Sequence, residues 1–391
     1  MSLKSFKLFF LFFFFSFLGF SQISKIHYVP PLTVDLEGNS LPRDQYLYLS
    51  TPSTNPVNGT ITELSTGRVI NFSDISTNPL QNDNPIRYTI NNGSGSVNDR
   101  LNNQLFVNPN NTANSSGILT LNAGFLVEAD CPIYVSIRYN AGAQAGAFTS
   151  KGLAALGTEF RTGMMLNGTQ GNAHNGNNSA SSATLNFFSV MATEDNTRIE
   201  IELPNASASS LTLGGTSSSF NYNGGTKINK TLQKHQSLII AQDFGISNNN
   251  STNKRFGLIG ALIKSVDVLG NKDSSKPLVV NSGSASGTFV SSGGHDHGID
   301  QIVAIDRVGH EYIFVRGAGA NSSNMETPLV VAAQDNTEIY IGSSTSPDEI
   351  LNAGEFLQIA NTNYSTASQG GTMYVKTQNQ DFKLFAYQGV G

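Results

Sequence analysis

The chain of 391 residues carries 24 Phe, 12 Tyr, 38 Gly, a single Cys and no Trp, and its formal net charge is −5. The acidic balance excludes the basic stripe with which nucleic-acid binders neutralise phosphate, and one Cys excludes a disulfide framework and any multi-Cys zinc module. At 38% hydrophobic and 13% charged, the composition suits packed cores beneath a polar surface rather than a disordered acidic tail.

At the N-terminus, Lys4 and Lys7 precede an apolar run from Leu8 to Phe20, and Gly19 and Ser21 place small residues at the −3 and −1 positions before Gln22. This order reads as a secretory signal peptide over 1–21. The run is shorter than the ~20 residues of a spanning helix, and no Cys follows it to take a lipid anchor. Further on, the longest apolar stretch, Leu258 to Ile263, is broken by Gly260 and ended by Lys264. An exported mature chain without a membrane span is expected.

The mature chain then repeats itself. Val190 to Ile201, containing Asp195-Asn196-Thr197, matches Val330 to Ile341, containing Asp335-Asn336-Thr337. Upstream of each, Leu156-Gly157-Thr158-Glu159-Phe160 matches Val308-Gly309-His310-Glu311-Tyr312, and downstream Leu232 to Leu238 matches Leu351 to Leu357. A fainter copy runs through Tyr28-Val29-Pro30-Pro31-Leu32, Leu47-Tyr48-Leu49, Asn58-Gly59-Thr60-Ile61 and Leu121 to Leu126. Each copy closes on an apolar run into glycines, at Ile133 to Gly146, Pro277 to Gly287 and Phe382 to Gly391. A fixed order of similar segments specifies modules, here 22–150, 151–298 and 299–391 after the signal peptide.

Within a module the signals are strands. Thr60 to Leu64, Ile133 to Arg138, Arg198 to Leu203 and Phe356 to Ile359 alternate with period two, as half-buried strands do. Asn58-Gly59, Asp195-Asn196 and Asp335-Asn336 sit between such runs, where residues tolerant of positive φ predict tight hairpins. One weak helix is expected around Ser150 to Leu156. The Asn/Gly/Ser tracts at 108–117, 167–182 and 248–253 read as surface loops. The fold class is all-β: three repeated antiparallel modules, sandwich-like or joined as a pseudo-symmetric assembly, with strands shared between modules as one possibility.

Catalytic and metal chemistry would draw first on six His residues. The one cluster is Gly294-His295-Asp296-His297-Gly298-Ile299-Asp300-Gln301. On an extended strand His295 and His297 face one side, so a divalent metal would take His295, His297 and Asp300, while Asp296 points away. Two His and a carboxylate fall short of a full zinc set, and the bland reading is a solvated polar loop. His310-Glu311 begins like the zinc-protease helix motif, but Phe314 stands where the second His belongs. Gly283-Ser284-Ala285-Ser286-Gly287 has Ala at the nucleophile position of a hydrolase elbow, and Gly317-Ala318-Gly319 lacks the third glycine of a dinucleotide loop. Asn82-Asp83-Asn84 offers oxygens suited to Ca²⁺, though turn chemistry explains it equally well. Cys131 beside Pro132 reads as a small buried hydrophobe.

The entry to the third module, Ser275 to Gly283, with His295-Asp296-His297-Gly298-Ile299-Asp300-Gln301 and Gly309-His310-Glu311-Tyr312, resembles the N-terminal domain of the IgGFc-binding protein family. So do Lys151-Gly152-Leu153-Ala154-Ala155-Leu156-Gly157-Thr158-Glu159-Phe160 and the two Asp-Asn-Thr turns. The resemblance covers modules two and three and touches module one thinly. It makes Asp296, His297 and Gln301 family-motif positions; His295 stands where the family carries Cys, so no disulfide is implied there. The Phe-rich leader and Asn/Gly/Ser-rich style are similar to large surface proteins of gliding Gram-negative bacteria, in which further domains and a secretion signal follow, and a longer parent protein is expected. The implied function is non-catalytic: a secreted module on the outer-membrane exterior, binding other cell-surface proteins through its loops and joining a larger surface complex, with no resident cofactor. The alternative is a lectin-like module for extracellular glycans, stacking sugar on Tyr139, Tyr222, Tyr312, Tyr364 and Tyr387. A third class, a metal-dependent hydrolase, would use the cluster at 295–301.

Overall fold

The computed structural model describes residues 22–34, 42–101, 104–107, 118–141, 144–164, 186–203, 211–213, 220–222, 227–242, 258–287, 296–317, 326–366 and 369–388. The segment 1–21 and the tracts at 108–117, 167–182 and 248–253 lie outside the described residues. What is described is antiparallel sheet almost throughout, as the alternating runs require.

The first unit is built on one bent strand, Phe125–Ala141, 17 residues long. Its first part lies between Gly59–Glu63 and Ser24–Val29, with Arg68–Asn71 beyond Gly59–Glu63. Its second part lies between Asp44–Ser50 and Gln144–Ser150, with Ile86–Asn92 beyond Asp44–Ser50. The strand thus changes sheets at Asp130-Cys131-Pro132. Proline has no N–H for a ladder, so a point where the ladder changes partner accommodates it. Leu47, Leu49, Ile61, Phe125, Val127 and Val135 fill the space between the sheets.

The second unit sets the sheet Glu159–Arg161, Leu262–Val266, Thr197–Glu202, Lys227–Leu232 against a larger one. The larger sheet runs Phe220–Tyr222, Leu211–Leu213, Gln236–Gln242, Asn186–Ala192, Leu278–Gly287, Asp296–Ile302. The third unit follows the same strand order, with Glu311–Val315, Thr372–Thr377, Thr337–Ile341 and Glu349–Leu351 in one sheet and Phe356–Gln358, Leu329–Ala332 and Leu384–Tyr387 in the other. Two strands cross the boundaries drawn from sequence. Ile118–Asn122 pairs with Gln236–Gln242 rather than within the first unit, and Asp296–Ile302, which spans 298/299, completes the larger sheet of the second.

Strands buried on both faces weld the units together. Asn186–Ala192 is buried at every position: Phe188, Val190 and Ala192 face the second core, while Phe187, with Ala241 and Ile299, faces the first. Leu329–Ala332 does the same, Leu329 and Val331 joining the second core with Phe385 and Val330 and Ala332 the third. Each Val, Leu, Ile or Phe among them contributes about 1.5–3 kcal/mol of burial, so the junctions are stabilised as cores are. At the second junction two backbones touch: a Cβ on Gly260 would stand 1.9 Å from the Gly354 carbonyl oxygen, and both glycines have positive φ, 79° and 85°.

Three local expectations change. Asn196 and Asn336 do adopt positive φ, 54° and 55°, but the strands they join lie in opposite sheets, so these turns are arches rather than hairpins. Asp195 Oδ1 and Asp335 Oδ1 fix the arches by accepting from the Lys234 and Ala353 N–H groups, each at 3.0 Å. Asn58-Gly59 is not a turn: Gly59 opens a strand, Asn58 bonds Asp130 at 3.1 Å, and the hairpin falls instead at Leu64 to Gly67, where Gly67 takes φ 72°. The weak helix is a 3-10 turn, Gly152–Ala155, with two more at Ile305–Arg307 and Asn361–Asn363, and the described α-helices are single turns, Phe72–Ile75 and Val97–Arg100. No helix among the described residues is long and apolar enough to cross a membrane.

Candidate functional site

Where Gln144–Ser150 ends, the chain turns into Gly152–Ala155 and meets the first strand and Asp296–Ile302 together. Gln301 is the hub of this meeting. Its side chain is fully buried; its Oε1 accepts from the Lys151 N–H at 2.6 Å and lies 3.2 Å from Ser150 Oγ, and its Nε2 donates to the Tyr28 carbonyl at 2.9 Å. One residue earlier, Asp300 receives Lys151 Nζ at 2.7 Å in an ion pair with the lysine side chain mostly enclosed. Asn281 adds a bond from Nδ2 to the Pro30 carbonyl at 2.8 Å. Gly152, at φ 54°, is required because a Cβ there would lie 2.3 Å from Ser24 Cβ. Arg307, from the next 3-10 turn, donates to the Ala154 carbonyl at 2.6 Å.

His27 sits behind this hub with no exposed surface. Nε2 is 2.9 Å from the Ile133 carbonyl and 3.2 Å from that of Ser24, so it carries the proton, and Nδ1, 3.1 Å from Ser150 Oγ, is the acceptor. Burial holds its pKa below the ordinary value, against the opposing pull of the backbone bonds. The Ser150–His27 contact has the residue types of a nucleophile and base, but the imidazole is oriented by backbone carbonyls and Ser150 is fully buried, out of a substrate's reach. What the arrangement does chemically is close a polar network across three strands.

The members of the proposed metal set fall in different surroundings. His297 is 8% exposed, edge-on to Tyr139 with centroids 5.3 Å apart and planes at 86°. Neither of its ring nitrogens, nor Tyr139 Oη, has a hydrogen-bond partner among the described residues. Desolvation lowers the His297 pKa to about 4, so the ring is neutral at pH 7. Asp300 is three residues along the strand and engaged with Lys151, while His295 lies outside the described residues and Asp296 opens the strand opposite Gly287. No group of three His, Cys, Asp or Glu among the described residues is placed to hold a metal.

The other candidates resolve individually. Tyr139 and Tyr364 are buried; Tyr312 Oη donates to the Leu384 carbonyl at 2.7 Å, Tyr387 packs against the second core, and the Tyr222 side chain is outside the described residues. Ser284, in the mid-strand run Gly283-Ser284-Ala285, donates to Asn186 Oδ1 at 2.6 Å. Asp83 accepts from Gln81 within a turn at 2.9 Å. Cys131 is a half-buried free thiol packed against the first core. Glu311 accepts from Tyr374 Oη at 2.6 Å on a strand. One surface escaped the sequence reading: Arg87 Cζ lies 4.7 Å from the Tyr46 ring centroid and Arg138 Cζ 5.1 Å from that of Tyr48. The period-two spacing of Tyr46 and Tyr48 was its only local signal, because their partners come from distant strands.

A sequence model of the family described as IgGFc binding protein matches residues 146–390 of this chain, beginning inside the strand Gln144–Ser150. No curated relative matches the sequence.

Proposed function

The chain belongs to the IgGFc-binding protein family, and on that premise we propose an exported, non-catalytic binding module of a bacterial cell surface. It presents loops to other surface proteins, for adhesion or for assembly into a larger complex. The observation that carries this reading is the use made of the family motif. Of the family-motif positions Gln301, together with Lys151, Gly152 and Asp300 from the segments that carry the resemblance, is consumed in fastening three strands to one another, so this part of the signature serves a scaffold. A scaffold fixed from within leaves its connecting loops free to differ from member to member, and recognition then resides in those loops. The Fc binding in the family's name is not carried over to this chain, because scaffold and site are separable.

The test uses the full chain, tagged, in its own host. Protease added to intact cells is expected to remove it, the mature N-terminus is expected at Gln22, and cross-linking is expected to recover one and the same surface protein repeatedly. A protected tag would refute surface display. Undiminished cross-linking after exchange of the loops for Gly/Ser segments would refute recognition through them.

A further inference from the structure

The outer face of the second sheet of the first unit carries a concentrated set of side chains that no part of the scaffold uses. Tyr46 and Tyr48 on Asp44–Ser50, Arg87 on Ile86–Asn92 and Tyr134 and Arg138 on Phe125–Ala141 all point outward, since their strand neighbours Gln45, Leu47, Ile86, Tyr88, Val135 and Ile137 are buried. Register places them side by side: Tyr48 faces Arg87 across one ladder, and Tyr46 faces Arg138 across the other. Each guanidinium leans over the other tyrosine of the pair, and the two rings meet edge-on at 6.0 Å. Stacking of this kind holds a guanidinium flat with its N–H edge outward.

In a chain of net charge −5, Arg87 and Arg138 form no ion pair among the described residues. Around them the face carries the hydroxyls of Thr89, Ser136 and Thr149, with Ala147 opposite Arg138, and at one end Asp44, which accepts from Asn140 Nδ2 at 2.8 Å. We propose that this Tyr–Arg face binds an extended anionic polysaccharide, the arginines pairing with its carboxylate or sulfate groups and the tyrosines and hydroxyls contacting its rings and hydroxyl groups. The site is separate from the loops assigned to protein partners and does not depend on that assignment.

Three features select this occupant. The two arginines flank the Tyr46–Tyr48 pair across two inter-strand spacings, about 10 Å, so they engage two charges on a linear polymer rather than one small ion. The outward positions of these strands carry no aliphatic side chain larger than Ala among the described residues, whereas protein hot spots are anchored by bulky groups in apolar pockets. Apart from Asp44 at one end, whose carboxylate accepts from the Asn140 amide at 2.8 Å, every polar side chain on it can donate a hydrogen bond, which suits a ligand that is both polyhydroxylated and negative.

The experiment immobilises the full chain and measures binding of polygalacturonate, dextran sulfate, neutral dextran and poly-glutamate by biolayer interferometry at 0.05 and 0.5 M NaCl. Binding to one or both charged polysaccharides, weakened at high salt and absent with neutral dextran, is expected; the two charged polymers distinguish carboxylate from sulfate. The double variant Arg87→Gln, Arg138→Gln should weaken binding by at least about tenfold, as loss of charge-assisted bonds does, with an unchanged melting temperature and unchanged cross-linking to the protein partner. Tyr46→Ala, Tyr48→Ala should do the same. Binding to neither charged polysaccharide, binding untouched by the arginine variant, or equal binding of poly-glutamate would each overturn the proposal.

Discussion

Replacing Gln301 by Leu tests whether the family motif is a structural clamp. The side chain is fully buried and its amide serves the Lys151 N–H at 2.6 Å and the Tyr28 carbonyl at 2.9 Å. Leucine fills nearly the same space, so the loss is almost wholly polar. Ser150 retains His27 as a partner, which leaves the Lys151 donor orphaned and the Tyr28 carbonyl with only a long contact to Ser150 Oγ at 3.5 Å. Each such buried loss costs ~1–3 kcal/mol, giving about 2–6 kcal/mol in all. The neighbouring substitution Asp300→Asn breaks an ion pair whose carboxylate is 43% exposed, and pairs of that exposure are worth under ~1 kcal/mol. Urea denaturation followed by far-UV circular dichroism gives both values from midpoints and slopes. If Gln301→Leu costs under about 1 kcal/mol, or no more than Asp300→Asn, the hub account is wrong.

The remaining predictions follow from single contacts. His297 titrates at about 4 in the folded protein, below its ordinary value of 6.5, so the unfolded chain takes up a proton that the folded one refuses. Its contribution is therefore complete above pH 6.5 and falls by up to ~3 kcal/mol as pH drops towards 4. His297→Phe should flatten that acid limb, leaving a residue due to His27, and a limb of unchanged steepness in urea midpoints from pH 7.5 to 4.5 would contradict the assignment. Gly260→Ala forces a methyl group into the Gly354 carbonyl at positive φ and should cost more than ~2 kcal/mol; an unshifted melting curve would show that the junction yields easily. Tyr88→Phe removes the hydroxyl that donates to buried Glu63, leaving Thr66 as a side-chain donor to that carboxylate. A loss of about 1.5–3 kcal/mol is expected in the same urea assay, and no loss would mean that Glu63 is solvated.

The alternation in Arg198 to Leu203 and the Asp-Asn pairs were readable because they depend on neighbouring residues alone: period two sets a face, and Asn tolerates the φ of 54–55° found at Asn196 and Asn336. Which sheet receives the next strand is decided by packing partners far along the chain, so arches read as hairpins. Ile133 to Arg138 read as a strand of its own for the same reason, since only the change of partner from Gly59–Glu63 to Asp44–Ser50 explains how Pro132 sits inside Phe125–Ala141. Strands such as Asn186–Ala192 show no alternation because both faces are buried, and short apolar runs of that kind carry no sign of what lies on each side. The resemblance located Gln301, yet its work became visible only when Lys151, 150 positions earlier, was seen to share its bond. Two members of the metal set are placed, and the third, His295, lies outside the described residues. His297 and Asp300 are close in sequence, but strand geometry and Lys151 give them different neighbours.

The pairing of Ile118–Asn122 with Gln236–Gln242 has a consequence for the order in which the protein can be made. Thr120 faces Leu238, so a nascent chain emerging N-terminus first exposes this strand's ladder groups until its partner appears. At translation rates of ~5–20 residues per second the wait is on the order of 10 s, long compared with hairpin formation in microseconds. During that interval the segment is an open template for any passing strand. Release of the chain in one piece from a holding chaperone, rather than unit by unit, is the biosynthetic route this topology favours.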